Sequence, residues 1–120
     1  LYCRGSFAMT RYESGLEGER AAAEYLRQAG YTVMETRYRA AGGEVDLIAL
    51  EGGVLSFIEV KYRPDSRLGM GLAAITPQKL ARIRGAAAAY LAGKPAPYRV
   101  AFLEITRAGV LFRPDVLNET

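Results

Sequence analysis

The sequence predicts one α/β domain in which a mixed β-sheet is flanked by helices. Its 120 residues suffice for one hydrophobic core but not for two. Half of the residues are hydrophobic and 24% are charged, which is ordinary for a folded globular domain. Periodic apolar patterns then give the order α-β-β-β-α-β-β. Helices before and after a run of three strands favour a sheet with helical cover.

Two helices are predicted from apolar residues at helical spacing. The first spans residues 13–29, with Ser14 as the N-cap that begins a capping box. The second lies in ITPQKLARIRGAAAAYLAGKP, where Thr76 is the N-cap and Pro77 the first helical residue. Gly93 follows the last turn, which completes the usual placement of proline at the start and glycine after the end.

Five strands are predicted from segments rich in β-branched and aromatic residues. Gly52-Gly53 separates the second strand from the third, and such a pair favours a two-residue hairpin turn. Residues 64–71 are polar and contain glycine, which predicts a mobile loop before the second helix. The predicted strands cover residues 31–39, 44–50, 54–62, 99–105 and 110–113.

The composition excludes several kinds of functional site. The chain contains no histidine, so Ser-His-Asp triads and histidine-metal sites are excluded. Its one cysteine, Cys3, rules out an intrachain disulfide and a thiol-rich zinc site. Carboxylates without imidazole or thiolate favour hard cations, so the sequence predicts Mg²⁺ or Mn²⁺ if a metal binds.

The chain shows no targeting pattern that would change its compartment. No apolar run approaches the roughly 18 residues of a membrane span, and no signal-peptide pattern is present. We therefore expect a cytoplasmic protein without membrane contact. Residues 1–8 lack periodicity and are interpreted as an expression scar or a disordered N-terminus before a natural start at Met9. A single domain is then expected over residues 9–120.

Four charged residues lie inside the predicted hairpin, where packing favours apolar side chains. With a turn at Gly52-Gly53, Asp46 falls opposite Glu59 and Glu44 falls opposite Lys61. Opposed side chains share one face of the sheet, about 4.5–5.5 Å apart at Cβ. Like charges at such a distance destabilise a bare sheet, whereas a divalent cation between them makes the arrangement favourable. The opposite face is predicted to be apolar and must be covered by other elements; it carries Val45, Leu47, Ala49, Ile58 and Val60.

A simpler interpretation of these charges remains open. Charges near strand ends are often solvated, and Glu44 with Lys61 would then form a cross-strand ion pair of small energetic value. A bulge at the glycine turn would also shift the pairing.

Several motifs together resemble a known group of small bacterial proteins. GLEGERAAAEYLRQAGY, RYRAAGGEVDLIAL, FIEVKYR and ITPQKLARI resemble the YraN-like family, which is similar to PD-(D/E)XK nucleases, including archaeal Holliday-junction resolvases. The resemblance covers about residues 13–106 and implies a restriction-endonuclease-like αβββαβ core. Where the family often has Asn, this chain has Arg37, and Arg99-Val100-Ala101 stands in place of an Arg-Phe-Asp run.

The resemblance also implies which residues form the active site. Asp46 corresponds to the acid of the PD motif, and Glu59 with Lys61 to the E-x-K pair. Glu19 matches a helix glutamate that points at the metal, and Glu44 matches the acid two residues before the aspartate. The implied catalytic residues are Asp46, Glu59, Lys61, Glu19 and Glu44, and the implied Mg²⁺ or Mn²⁺ ligands are Asp46, Glu59, the Val60 carbonyl and Glu19.

A basic surface is expected to bind the DNA backbone through phosphate contacts that carry no sequence information. The net charge of +3 agrees with a polyanionic partner but is weak support alone. The expected contacts are Arg37, Arg39, Arg63, Arg67, Lys79 and Arg82.

Two classes of function follow from these patterns. The first is a metal-dependent nuclease acting on branched or damaged DNA, as a homodimer or with DNA-processing protein partners. The second is a noncatalytic nucleic-acid-binding module that keeps the nuclease fold. A third interpretation, a structural partner of unrelated machinery with merely solvated acids, predicts no salt-sensitive DNA binding.

Overall fold

The structure is a computed structural model, and it describes residues 11–65, 67 and 75–119. The expectations for residues 1–8, and for residues 66 and 68–71 of the predicted loop, lie outside this part of the chain. The elements are α1 Arg11–Gln28, β1 Thr32–Ala40, β2 Gly43–Glu51, β3 Val54–Tyr62, α2 Pro77–Leu91, β4 Tyr98–Thr106, β5 Gly109–Arg113 and a 3₁₀ turn at Val116–Asn118.

The five strands form one mixed sheet in the order β1-β2-β3-β4-β5. Strands β3 and β4 are parallel, while the other three neighbouring pairs are antiparallel. The parallel pair arises because α2 connects β3 to β4 as a crossover, which a tight turn cannot do. The predicted element order and the mixed sheet are therefore confirmed.

The two helices cover opposite faces of the sheet. Successive strand residues point to opposite faces, and this alternation divides the core into two clusters. Leu26 of α1 packs with Leu47 and Ile58, whereas Ile83 of α2 packs with Ile48 and Phe57. The predicted sandwich of helices around the sheet is confirmed. In the described residues, neither helix has the length and apolar character needed to cross a membrane.

The hairpin turn forms as predicted, but the pairing of the two strands ends early. Gly52 and Gly53 have φ values of 60° and 80°, and the pairs run from Glu51↔Val54 to Leu47↔Ile58. Beyond that pair β2 continues along β1 as far as Gly43, and β3 continues along β4 as far as Tyr62. The two strands separate because each follows its outer neighbour.

The predicted cross-strand pairs of charged residues are therefore wrong in detail. The ladder of β2 and β3 includes neither Asp46↔Glu59 nor Glu44↔Lys61. In place of a ladder contact, the Val60 N–H donates to Asp46 Oδ2 over 2.8 Å. A side chain thus occupies the gap between the separating strands.

The predicted alternation along β2 is also wrong at Val45. This residue packs with Ile48 on the α2 face, whereas the sequence pattern assigned it to the face of Leu47 and Ala49. The β1–β2 pairing passes from Thr36↔Leu47 to Tyr38↔Val45. The intervening residue, Arg37, has a left-handed φ of 53°. This conformation interrupts the regular pleat beside Asp46.

The helix starts agree with prediction for α2 but not for α1. The Thr76 hydroxyl accepts a hydrogen bond from the Lys79 N–H over 3.1 Å, and Pro77 is the first helical residue, as predicted. In contrast, α1 already includes Arg11, the first residue that the structure describes, so Ser14 lies within the helix rather than at its N-cap. Residues 11–13 contain no glycine or proline that would stop the helix from extending past the capping-box motif.

Two glycines allow the helices to approach the site strands closely. A Cβ on Gly43 would overlap the Arg82 carbonyl oxygen and the Ala86 nitrogen, so α2 lies directly on the start of β2. A Cβ on Gly18 would overlap the Cβ of Tyr62. Each approach fixes the position of a neighbouring charged residue, Glu44 after Gly43 and Glu19 after Gly18.

We predict opposite effects of the same substitution at two glycines of α1. Gly18→Ala should lower the free energy of unfolding by about 1–3 kcal/mol, because the new methyl group meets the root of a packed side chain. Gly15→Ala should raise it by about 0.5–1 kcal/mol, since alanine favours a helix interior and the nearest atom is Arg37 Nη2 at 3.7 Å. Urea unfolding of both variants measures this difference. Equal effects at the two positions would contradict the packing of α1 on β3.

Candidate active site

A cavity of about 200 Å³ lies where β2 and β3 separate and the first turns of α2 pass over them. The separation of the strands supplies carboxylates from both, and the helix supplies cations. The structure thus brings together three of the predicted acids, Lys61 and two residues expected to bind phosphate. The lining residues are Glu44, Asp46, Glu59, Val60, Lys61, Lys79, Arg82 and Ile83.

Asp46 is the described carboxylate whose pKa is most strongly shifted by its surroundings. Burial, together with the negative charge of Glu59, raises its pKa from 3.8 to about 7. The hydrogen bond from the Val60 N–H opposes the shift without cancelling it. A carboxylate in this setting gains free energy when a proton or another cation binds.

Glu59 is the most enclosed acid of the cavity, at 9% exposure, and two lysines approach it. Lys79 Nζ lies 2.7 Å from Glu59 Oε2, and Lys61 Nζ lies 3.8 Å from the same oxygen. Burial lowers the pKa of Lys61, and the neighbouring Lys79 lowers it further. Burial also opposes the charge of Lys79, but the hydrogen bond to Glu59 and the contact with Lys61 outweigh it, so the pKa of Lys79 is raised.

Glu44 lies at the rim of the cavity and pairs with arginines. Its Oε1 is 2.9 Å from Arg82 Nη2 and 3.8 Å from Arg39 Nε. The cross-strand ion pair with Lys61 that the simpler interpretation proposed is wrong, since the described ion pairs of Lys61 and Glu44 involve different partners. The reason is the early separation of β2 from β3, which leaves Glu44 beneath α2.

Glu19, on α1, lies on the side of Asp46 that faces away from the larger cavity. A second cavity of about 90 Å³ contains both acids, and the charge of Glu19 contributes to the raised pKa of Asp46 after the larger effects of burial and Glu59. Arg37 Nε donates to Glu19 Oε1 over 2.7 Å. The residues lining this second cavity are Glu19, Arg37, Tyr38, Arg39, Glu44, Val45 and Asp46.

The six predicted basic contacts fall into three groups. Lys79 and Arg82 line the larger cavity, and Arg37 and Arg39 line the smaller one. Arg63 and Arg67 are exposed and belong to neither of these two lining sets. The predicted basic surface is therefore divided between the site and its surroundings.

Comparison with known sequences assigns the chain to a family. Residues 18–117 match the profile of the uncharacterised protein family UPF0102. This chain belongs to the UPF0102 family. A UPF0102 protein of Chlorobaculum parvum is 46% identical over 84 residues, which are 70% of this chain and 65% of that relative. A UPF0102 protein of Symbiobacterium thermophilum is 43% identical over 94 residues, covering 76% and 80% of the two chains.

The fold has a solved counterpart outside the family. The structure of Archaeoglobus fulgidus Hjc, a Holliday junction resolvase, matches with a TM-score of 0.54 over 88% of this chain and 76% of that chain. The sequence identity of 20% limits this likeness to the fold. The UPF0102 chain therefore has the restriction-endonuclease-like fold that the sequence predicted.

The match to the Chlorobaculum relative spans slightly less than two thirds of that relative's length.

Two positions differ from what the resemblance implies, and the structure shows where they lie. Ala101, for which the resemblance implies an acid, is fully buried on the α1 face with Leu47 and Ile58. Glu59 and Lys61 line the cavity below α2, so the missing acid leaves this cavity intact. Arg37 adopts a left-handed φ of 53°, which an asparagine at this position would adopt at lower cost.

The site offers fewer preformed metal ligands than the resemblance implied. Among the described residues, no group of three or more His, Cys, Asp or Glu side chains is arranged to hold a metal ion. Asp46 and Glu59 share the larger cavity with Val60, while Glu44, the third acid lining it, pairs with arginines at the rim. This oxygen donor set fits Mg²⁺ or Mn²⁺, which bind through one or two carboxylates and retain several waters.

Lys79 makes a contact that the sequence did not predict. We expected it on a basic surface, and it also contacts Glu59, the most enclosed acid of the cavity. The predicted N-cap at Thr76 already locates Lys79 in the first turn of α2. Lys79 is the third residue of the helix, and its backbone N–H donates to the Thr76 hydroxyl. Only the packing of α2 onto β2 shows which acid this lysine meets.

We predict that the environment of Asp46 makes stability depend on pH. Between pH 3.8 and about 7 the folded state retains a proton that the unfolded state releases, so the free energy of unfolding falls as pH rises through this range. Each unit of pKa difference corresponds to about 1.4 kcal/mol. Asp46→Asn keeps an oxygen acceptor for Val60, so the variant should be more stable than the parent protein at pH 8 and similar at pH 4.

Urea unfolding at several pH values, with EDTA present, measures this dependence. Glu24→Gln, a change at an exposed acid of α1, serves as the control and should leave the pH profile unchanged. Parallel profiles for Asp46→Asn and the parent protein would contradict the buried, acid-facing position of Asp46.

Proposed function

We propose that this UPF0102 protein is a metal-dependent nuclease that hydrolyses phosphodiester bonds of DNA, with a preference for branched or damaged substrates. One observation carries the proposal. Asp46, Glu59 and Lys61, from two strands and separate motifs, line one cavity. The fold, which is shared with a Holliday junction resolvase, supports the reaction class but does not establish it, because one fold hosts many activities.

The carboxylates would hold a divalent cation. Asp46, Glu59 and the Val60 carbonyl are the proposed ligands, and Glu19 lies across Asp46 as a further acid. A bound Mg²⁺ or Mn²⁺ supplies a Lewis acid that stabilises charge on the phosphoryl oxygens. Asp46 is held in place by the Val60 N–H, which leaves its other carboxylate oxygen available to a cation.

Lys61 is the proposed base and charge stabiliser of the reaction. Its lowered pKa increases the share of neutral amine, which can accept a proton from the attacking water. The water oxygen forms a bond to phosphorus, the ester P–O bond breaks, and the leaving oxygen takes a proton from solvent. Lys61 in its charged form would then stabilise the negative charge of the phosphate group.

The arginines around the site would bind the DNA backbone. Arg39 and Arg82 meet at the rim through Glu44, while Arg63 and Arg67 are exposed. Such contacts release counterions and carry no sequence information. They suit recognition of DNA shape, and a homodimer or a DNA-processing partner would supply a second set of contacts across a branched substrate.

One observation favours the noncatalytic alternative. The ammonium group of Lys79 already lies 2.7 Å from the Glu59 carboxylate, where a metal ion would be bound. If this ion pair were permanent, the protein would bind nucleic acid through its cations without cutting it. Cleavage assays separate the two functions.

We expect cleavage of at least one of four labelled DNAs, namely a four-way junction, a flap, a single strand and a plasmid, with Mg²⁺ or Mn²⁺. EDTA should abolish it. Asp46→Asn should remove a metal ligand, and Lys61→Ala should reduce the rate by about 10²–10⁴-fold, the usual contribution of a general base. Time courses on denaturing gels measure both effects.

Arg84→Ala is the matched control, because Arg84 is an exposed cation of α2 that is not among the residues lining the two site cavities. Its rate should equal that of the parent protein. If no DNA is cut, but salt-sensitive binding persists in all variants, the noncatalytic module is the correct function.

We also predict that Arg63 contacts phosphate. In EDTA, where no cleavage occurs, Arg63→Ala should weaken binding to a four-way junction and lower the slope of log K against log salt by about 0.9. The loss should be similar for DNAs of different sequence. Arg27→Ala, at the end of α1, should not change the slope. Fluorescence anisotropy at several salt concentrations measures both variants, and an unchanged slope for Arg63→Ala would place the DNA elsewhere.

A further inference from the structure

We infer that Lys79 is an exchangeable counter-cation and a phosphate-binding residue of the active site. Its ammonium group neutralises Glu59 when no metal is bound, and it moves to a DNA phosphate when a divalent cation takes that carboxylate. This inference rests on the proposed nuclease function. It assigns to Lys79 a catalytic role that couples metal binding to substrate binding.

The contact geometry identifies Lys79 as the principal partner of Glu59. Lys79 Nζ lies 2.7 Å from Glu59 Oε2, whereas Lys61 Nζ is 3.8 Å from the same atom. Hydrogen bonds between charged groups are about 2.7–2.9 Å long, so only the Lys79 contact has the length of a direct one. A metal ion that binds this oxygen must therefore replace Lys79 rather than Lys61.

The side chain of Lys79 is anchored at its root and accessible at its head. Its backbone N–H is held by the Thr76 hydroxyl at the start of α2, which fixes the Cα. The flexible stem of lysine allows the ammonium group to move without moving the helix. The side chain is 36% exposed, compared with 11% for Glu59, so the ammonium group lies on the solvent side of the acid.

Electrostatics favours the exchange. Asp46 and Glu59 share a cavity with two ammonium groups, and a divalent cation on these acids would repel both. Lys61 is the more enclosed lysine, with a side chain 24% exposed. The more exposed Lys79 has the easier route away from the ion. Repulsion by the metal thus directs the ammonium group of Lys79 toward the opening of the cavity.

A phosphate group at that opening would lie close to several cationic groups that are already in position. Arg82 follows Lys79 by three residues, which places the two on one side of α2, and both line the cavity. The N-terminal turn of a helix also favours negative charge. The displaced ammonium group, Arg82 and the start of α2 would then bind a phosphate beside the metal.

Metal binding without DNA tests the exchange directly. Isothermal titration with Mn²⁺ should show Lys79→Met binding the ion about 5–150-fold more tightly than the parent protein, the usual range for coupled binding events. Lys79→Arg keeps the competing charge and should bind Mn²⁺ more weakly than Lys79→Met. Arg84→Met removes an exposed cation of the same helix and should match the parent protein.

DNA binding tests the second half of the exchange. Ca²⁺ should increase the affinity of the parent protein for a fluorescent four-way junction that carries phosphorothioate linkages to prevent cutting. Lys79→Met should lose part of this increase, measured as the ratio of its affinities in Ca²⁺ and in EDTA, because its ammonium group is no longer released to a phosphate when metal binds.

The possible results separate the inference from the proposed function. Unchanged or weaker Mn²⁺ binding by Lys79→Met, in a variant whose circular dichroism shows the parent fold, overturns the exchange and leaves the nuclease proposal standing. If Lys79→Met fails to fold, Lys79→Gln is measured in its place under the same criterion. If neither the parent protein nor any Lys79 variant binds Mn²⁺, the metal-dependent function itself is overturned.

Discussion

The hydrogen bond from the Val60 N–H to Asp46 is the contact on which the site depends. It lies where the β2–β3 ladder has ended at Leu47↔Ile58. A backbone donor between separating strands would otherwise be left without a partner, which is costly in a half-buried position. Because a carboxylate fills this role, the strands can separate without losing the hydrogen bond. The cavity opens at the same point, with Asp46 fixed at its inner end.

The acids and lysines of the cavity are compatible with a stable fold only when they are present together. Burial and the negative charge of Glu59 act together on Asp46, so the two acids oppose each other. Lys79 and Lys61 both approach Glu59, and the presence of Lys79 lowers the pKa of Lys61. A buried charge costs free energy unless it is paired. The acids without the lysines would therefore destabilise the folded state, and so would the lysines without the acids. Loss of one charge changes the electrostatic environment of the others.

The local patterns of the sequence were sufficient for the element order, the hairpin turn and the cap at Thr76. Each depends on residues within a few positions of one another, such as Gly52-Gly53 or Thr76-Pro77. The errors involve contacts between elements. Val45 packs on the α2 face, close to the left-handed Arg37 of the neighbouring strand, and Glu44 pairs with Arg82 because α2 lies on Gly43. The residue pattern of β2 alone predicts neither the face on which Val45 lies nor the pairing of Glu44 with Arg82.

The site residues were predictable as types but not as an arrangement. The acids inside a hairpin stood out because a strand there favours apolar residues, and Asp46 and Glu59 do share a cavity. Their geometry, however, follows from the separation of β2 and β3, which depends on how each strand pairs with its outer neighbour. Asp46 consequently lies between two cavities, with Glu59 in one and Glu19 in the other. A cation bound at Asp46 would therefore be influenced by Glu59 in the cavity beneath α2 and by Glu19 of α1 in the other cavity.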